Sequence, residues 1–197
     1  MPCDDAAVRD DRLRWDRKHA DKTHDGEADA FALEAIALAR AAWPAGAPAL
    51  DVACGAGRHL EALAAAGFRA QGIDVSPVGL ARARERVAAR GLHADLIAAD
   101  LDDFPLPAGR YALILVVDYL ARGRFTDLAS ALAPGGFLVV SGFVEGHPKQ
   151  RAAFCHFRGE LRRAFASLAI VRDEEIEGRA RFVARKSLSS SVTIARP

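Results

Sequence analysis

LDVACGAGRHLEALAAAGFRAQGIDVS, residues 50–76, opens as an apolar run carrying one acid, Asp51, and then bends at Gly55 and Gly57. Beyond the bend, Leu60, Leu63 and Ala64 fall on one face of a helix, and a second short apolar run ends at Asp74. The order is strand, glycine turn, helix, strand, which is the repeating unit of a parallel sheet covered by helices. In such sheets ligands bind at the carboxyl ends of the strands, which is where the loop Ala53–Arg58 and Asp74 both lie.

Outward from this stretch the alternation continues. Strands are predicted at Ala49–Ala53, Phe68–Asp74, His93–Ala99, Tyr111–Val117 and Phe137–Phe143, the fourth apolar enough to be buried on both faces. Ser76-Pro77 reads as an N-cap followed by proline at the first helical position, and that helix runs to about Arg90 and stops at Gly91. Pro105 and Pro107 break the connection after the third strand. A helix over Phe125–Ala133 ends at Pro134-Gly135-Gly136, and another spans about Arg158–Phe165. Two last strands, Ala169–Glu177 and Arg179–Lys186, form a hairpin about Glu177-Gly178. The expected fold is an α/β, Rossmann-like, mostly parallel sheet of seven strands, with helices on both faces and a C-terminal antiparallel hairpin. Residues 1–45 read as a helical segment or lid, 46–186 as the ligand-binding domain, and 187–197 as a tail.

Bulk properties bound the function. With 197 residues, 51% hydrophobic and 27% charged, the chain suits one globular domain. A net charge of +1 offers no footprint for nucleic acid or an acidic membrane surface. Its apolar runs are too short to cross a bilayer, and the charged N-terminus reads as no secretion signal. Cys3, Cys54 and Cys155 are an odd count without metal spacing, so reduced thiols, a cytoplasmic location and no metal are expected.

The glycine loop asks for a particular ligand. A dinucleotide fingerprint needs Gly-x-Gly-x-x-Gly, yet one register puts Ala53 and Arg58 at glycine positions and the other puts Leu60 there. Asp51, in the strand that feeds the loop, does nothing for a pyrophosphate but favours an ammonium or sulfonium. Asp74 is placed to accept from both hydroxyls of a ribose, and Asp100, ending the third strand, from an adenine amino group.

In order, Asp51-x-Ala-Cys-Gly-x-Gly, Gly72-Ile-Asp74-x-Ser76, Ala99-Asp100 and Pro134-Gly135-Gly136 resemble class I S-adenosylmethionine-dependent methyltransferases over about residues 45–145. More narrowly, Trp15-Asp16-x-x-His19-Ala20, Gly57-Arg58-His59, Gly159-Glu160-Leu161 and Phe182-Val183-Ala184-Arg185-Lys186 resemble the small tellurite-resistance-type methyltransferases. The resemblance implies S-adenosyl-L-methionine as cofactor, with Asp51, Gly55 and Gly57 around the methionine moiety, Asp74 on the ribose and Asp100 near the adenine. It also implies Arg58 against the cofactor carboxylate, with Ala53, Val75, Leu101 and Val117 completing that site. Position 53 is alanine where the family usually has glycine. The hairpin after residue 170 lacks the histidine-bearing insert of some tellurite-resistance members.

Trp15, His19, Asp118, Tyr119 and His147 are the candidates for contacting a methyl acceptor, with Trp15 and His19 either in a lid or anchoring a helix. His147 and His156 lie in the region expected to cover the pocket, where either is able to contact an acceptor, with surface exposure the default for both. Cys54 is expected to pack rather than react, and Arg82, Arg86 and Arg90 to form a solvated helix face. No residue is singled out as catalytic. The acceptor is expected to be a small molecule, plausibly a soft sulfur, selenium or tellurium nucleophile, used by a monomer or homodimer. Two rivals stand beside this reading: a nicotinamide-dependent oxidoreductase, and a non-catalytic module that binds an adenosyl ligand.

Overall fold

The computed structural model describes residues 5–21, 26–148 and 154–188. Two helices, α1 (Asp5–Ala20) and α2 (Ala30–Ala42), precede the sheet. Then β1 (Pro48–Val52), α3 (Arg58–Ala65), β2 (Arg69–Asp74), α4 (Pro77–Ala89), β3 (Asp95–Ala98) and β4 (Tyr111–Val117) follow. A 3-10 turn at Arg122–Arg124 leads into α5 (Phe125–Ala131), β5 (Leu132–Phe143), α6 (Glu160–Ala164), β6 (Ala169–Ile176) and β7 (Arg179–Arg185). The seven strands form one sheet in the order β3-β2-β1-β4-β5-β7-β6. The first five run parallel to their neighbours, while β7 pairs antiparallel with both β5 and β6.

Strand alternation builds two apolar layers. Leu113 and Leu115 of β4 face Phe31, Ile36, Leu60 and Leu63 on α2 and α3, whereas Ile114 and Val116 face Leu128, Leu161 and Phe165. Every residue of β4 is therefore buried, as its composition foretold. At ~1.5–3 kcal/mol for each large side chain taken out of water, this central strand anchors the fold.

Local chemistry sets the boundaries near the ligand end. Strand β1 stops at Val52 because Ala53 takes φ 54, a left-handed conformation that an alanine adopts at a cost. The Ser76 hydroxyl accepts from the Gly79 amide at 3.0 Å and starts α4, with Pro77 at the first helical position. Glu177 and Gly178 both have positive φ, the geometry of a two-residue hairpin turn matched to sheet twist. One boundary differs from expectation. Pro134-Gly135-Gly136 lies inside β5, which begins at Leu132, and α5 ends at Ala131. A register irregularity between Tyr111 and Leu113, with Gly135 at φ 80, lets the strand absorb those three residues. Most of the expected tail, residues 189–197, lies outside the described residues.

Candidate active site

A cavity of about 360 Å³ opens at the carboxyl ends of β1, β2, β3 and β4. It sits where the strand order reverses between β1 and β4. Ala53, Gly55, Arg58, Asp74, Val75, Asp100, Leu101, Val117, Asp118 and Tyr119 line it, and Trp15 and His19 of α1 close one side. Twelve residues scattered over the sequence expectation thus meet at one place.

Three others do not line it. Asp51 lies beneath the loop, 1% exposed, in β1 itself. Gly57 faces α4: a Cβ there would come within 2.7 Å of the Ala83 Cβ, so this glycine permits two helices to approach. His147 packs on the Phe143 ring at 4.5 Å and beside Gly178, at the hairpin. His156 is buried, contrary to the surface placement expected, with Nδ1 3.6 Å from the Glu160 carboxylate. Cys54 is buried, and a Cβ at Gly72 would press on its Sγ at 2.7 Å, which bears out packing.

The carboxylates beneath and around the loop are not alike. Asp74 accepts from the Gly55 and Ser76 amides, each at 2.8 Å, and so ties the glycine loop to the end of β2. Each of its oxygens keeps a lone pair for a further donor. Burial raises its pKa, and the two amides pull it back. Asp51 caps α3 by accepting from the Leu60 amide, yet its Oδ2 is solvent-inaccessible and has no hydrogen-bond partner. Burial, reinforced by the charge of Asp74, pushes its carboxyl up to about 8, against the opposing pull of Arg58. Asp118 is the opposite case. Burial pushes this carboxyl up, but hydrogen bonds and charge from Arg179 (2.6 Å) and Arg58 (2.7 Å) outweigh it and hold it below the usual value.

The histidines of the wall are neutral bases. Burial pushes His59 down to about 4, with Arg58 adding to the effect, and its Nε2 accepts from the Asp29 amide at 3.1 Å. Burial also lowers His19, which stacks on Trp15 at 5.9 Å between ring centroids. Its imidazole covers the loop so closely that a Cβ at Gly55 would lie 2.9 Å from Cε1. Helix α1 is held there by Asp16, whose carboxylate accepts from the Ser76 hydroxyl at 2.6 Å, and by Arg82, which donates to the His19 carbonyl at 2.5 Å.

Sequence reasoning passed over several contributors. Asp11 and Asp102 also line the wall. Arg124 donates to the carbonyls of Leu101, Asp102 and Phe104 and so shapes the segment after β3. Arg179 reaches Asp118 from β7, and nothing in its local spacing announces that contact. Asp16 and His59 stood inside quoted motifs, so the signal existed for those two. Among the described residues, no group of three or more histidine, cysteine or acidic side chains could hold a metal ion. Among them, too, no helix is long and apolar enough to cross a membrane.

The wall thus carries five carboxyl groups, Asp11, Asp74, Asp100, Asp102 and Asp118, against one guanidinium, Arg58. Such a site suits a cationic nucleoside and repels a pyrophosphate. Residues 49–136 match the family described as a methyltransferase domain. Over that stretch, short of half its length, the chain is similar to methyltransferase domains. It is 38% identical over 101 residues to the ribosomal protein L11 methyltransferase of Geobacter metallireducens, a match covering 48% of this chain and 32% of that protein. The chain therefore spans about a third of the length of that curated relative. The fold matches the N-methyltransferase NodS from Bradyrhizobium japonicum in complex with S-adenosyl-L-homocysteine, with TM-score 0.69, 21% identity, and coverage of 89% of this chain and 97% of that one. It also matches TehB from Haemophilus influenzae, with TM-score 0.69, 17% identity, and coverage of 86% and 66%.

Proposed function

We propose that this protein transfers the methyl group of S-adenosylmethionine to a small-molecule acceptor, a soft sulfur, selenium or tellurium nucleophile. One observation carries the reading: the acid-lined cavity under the glycine loop, backed by a buried Asp51 oxygen that has no partner. The residues present fit the cofactor. Asp74 accepts from the ribose hydroxyls, Asp100 faces the adenine, and Val75, Leu101 and Val117 supply apolar wall. Ala53 and Gly55 bring backbone to the methionine moiety, whose ammonium is drawn to Asp51 and whose carboxylate meets Arg58. When bound, S-adenosylmethionine supplies an electrophilic methyl group on a sulfonium sulfur.

The protein's own task is then to align the acceptor and exclude water, and orientation of this kind is worth ~7–11 kcal/mol of a barrier. Helix α1 serves as the cover, with Trp15 and His19 on its inner side. Asp118 and Tyr119, ending β4, border the acceptor. Burial, with Asp102 and Asp100 nearby, keeps the Tyr119 hydroxyl protonated as a donor. His19 and Asp118, the two bases that border the proposed acceptor, are both weakened, while Asp74 and Asp102, on the proposed nucleoside side, are raised by burial. Weak bases deprotonate acidic thiols and selenols far better than alcohols or amides, which supports a soft acceptor.

Calorimetric titration with S-adenosylmethionine, S-adenosylhomocysteine and NAD tests the cofactor. Binding of the first two and not NAD is expected, and tight NAD binding with indifference to the adenosyl compounds overturns the reading. Release of S-adenosylhomocysteine in the presence of thiols and selenols then tests the acceptor class, and turnover confined to amines would remove the soft-nucleophile part.

A further inference from the structure

Outside the residues that line the cavity, the short stretch 154–157 presents two exposed aromatic rings, a strip that the cofactor site does not use. Phe154 is 46% exposed and Phe157 50%, and Leu13 on α1 is 44% exposed. Cations lie against these rings. The Arg14 guanidinium is 5.8 Å from the Phe154 ring centre and 5.6 Å from that of Trp15, so one cation joins the strip to the cavity wall. Lys18 Nζ is 4.2 Å from the Trp15 centre, and Arg122 lies 4.3 Å over Phe157.

We propose that Trp15, Phe154 and Phe157, with Arg14 and Lys18, form the acceptor subsite, and that the acceptor is an aryl thiol or selenol bearing a carboxylate. The proposal rests on the methyl-transfer reading above and names the substrate class for that same site. The Trp15 ring in the cavity wall, linked through Arg14 to Phe154, suits a planar arene, and stacking against it is favourable beyond the area buried. The anionic substituent follows from the cations. Arg122 is already engaged by Glu160 and the Cys155 carbonyl. Arg14 forms an ion pair with Asp11 at 3.2 Å, exposed and of little worth, that an incoming carboxylate can displace. Placing the carboxylate on the strip keeps it away from the acidic cavity, while the arene points its sulfur or selenium inward past Trp15. In the step itself the acceptor S–H or Se–H proton passes to His19 or water. The chalcogen–carbon bond forms as the sulfonium–methyl bond breaks, giving an aryl methyl thioether or selenoether and S-adenosylhomocysteine.

The test is calorimetry on the full chain saturated with S-adenosylhomocysteine, using 4-mercaptobenzoate, thiophenol and 3-mercaptopropionate as probes. The first should bind at least tenfold more tightly than either of the others. Arg14→Gln and Phe154→Ala should each weaken it fivefold or more, leave S-adenosylhomocysteine affinity unchanged and, being surface changes, preserve the circular dichroism spectrum. Arg14→Gln should leave thiophenol unaffected, since thiophenol has no carboxylate to lose. Equal binding of 4-mercaptobenzoate and 3-mercaptopropionate, or no effect of either substitution, overturns the subsite. Failure of S-adenosylhomocysteine to bind would instead remove the cofactor reading, and the same three probes on unliganded protein would still judge the strip.

Discussion

Asp51 and Asp118 are the same residue type at the ends of adjacent strands, yet the protein treats them in opposite ways. Asp51 is sealed under the glycine loop with one oxygen unpartnered, and its carboxyl holds its proton up to about pH 8. Asp118 is gripped by Arg58 and Arg179 and stays ionised. Beneath the glycine loop a carboxyl oxygen is left without a hydrogen-bond partner, whereas at the end of β4 the carboxylate is fully paired. On the function proposed above, this contrast marks the cofactor end from the acceptor end.

The comparison breaks most visibly at Gly55→Val. A side chain there meets the His19 ring at 2.9 Å and is strained at φ 51, so S-adenosylhomocysteine binding should vanish in a protein that still folds. Retained affinity, read by calorimetry, would move the cofactor end elsewhere. Asp74→Ala comes next. Losing charge-assisted hydrogen bonds worth ~1.5–3 kcal/mol each should weaken binding by about tenfold to a hundredfold.

Asp51→Asn sharpens the contrast because it acts on pH. Burial pushes the folded carboxyl up to about 8 from its ordinary value of 3.8, so the native state holds a proton that the unfolded chain has released. Its contribution is therefore favourable only at low pH, and unliganded stability declines as pH rises from about 4 to about 8, by at most ~1.4 kcal/mol per unit. Asparagine removes that decline, so the difference between wild-type and variant denaturation curves should widen over this window in the variant's favour. S-adenosylhomocysteine affinity should rise with pH toward 8 in the wild type and stay flat in the variant. Parallel curves would show that Asp51 is not the proton-holding group. Ala53→Gly is the smallest effect. Relieving a left-handed alanine should raise thermal stability by about 1 kcal/mol with binding unchanged.

Much of this was legible before any coordinates. Buried strands made of valine, leucine and isoleucine announce themselves, and Ser76-Pro77 marks a helix start by its own chemistry. Asp74 and Asp100 could be placed because strand ends in a parallel sheet share one side. The start of β5 was misjudged because Pro134-Gly135-Gly136 is ordinarily a stop, and only pairing across to β4 and β7 shows the strand passing through it. His147 sits at the hairpin and not in the cavity lining, because a loop's landing point depends on tertiary packing that no periodicity records. Arg124 and Arg179 escaped notice for a related reason. A long guanidinium reaches partners twenty or more residues away in sequence, and it leaves no local pattern.

Arg124 has one more consequence. The segment between β3 and β4 that borders the cavity has no helix of its own, and its curvature is borrowed from three carbonyls gathered on a side chain at the entrance to α5. With the adenine placed beside Asp100 as proposed, base selectivity can therefore drift through substitutions behind α5, with every residue that would touch the nucleoside left as it is.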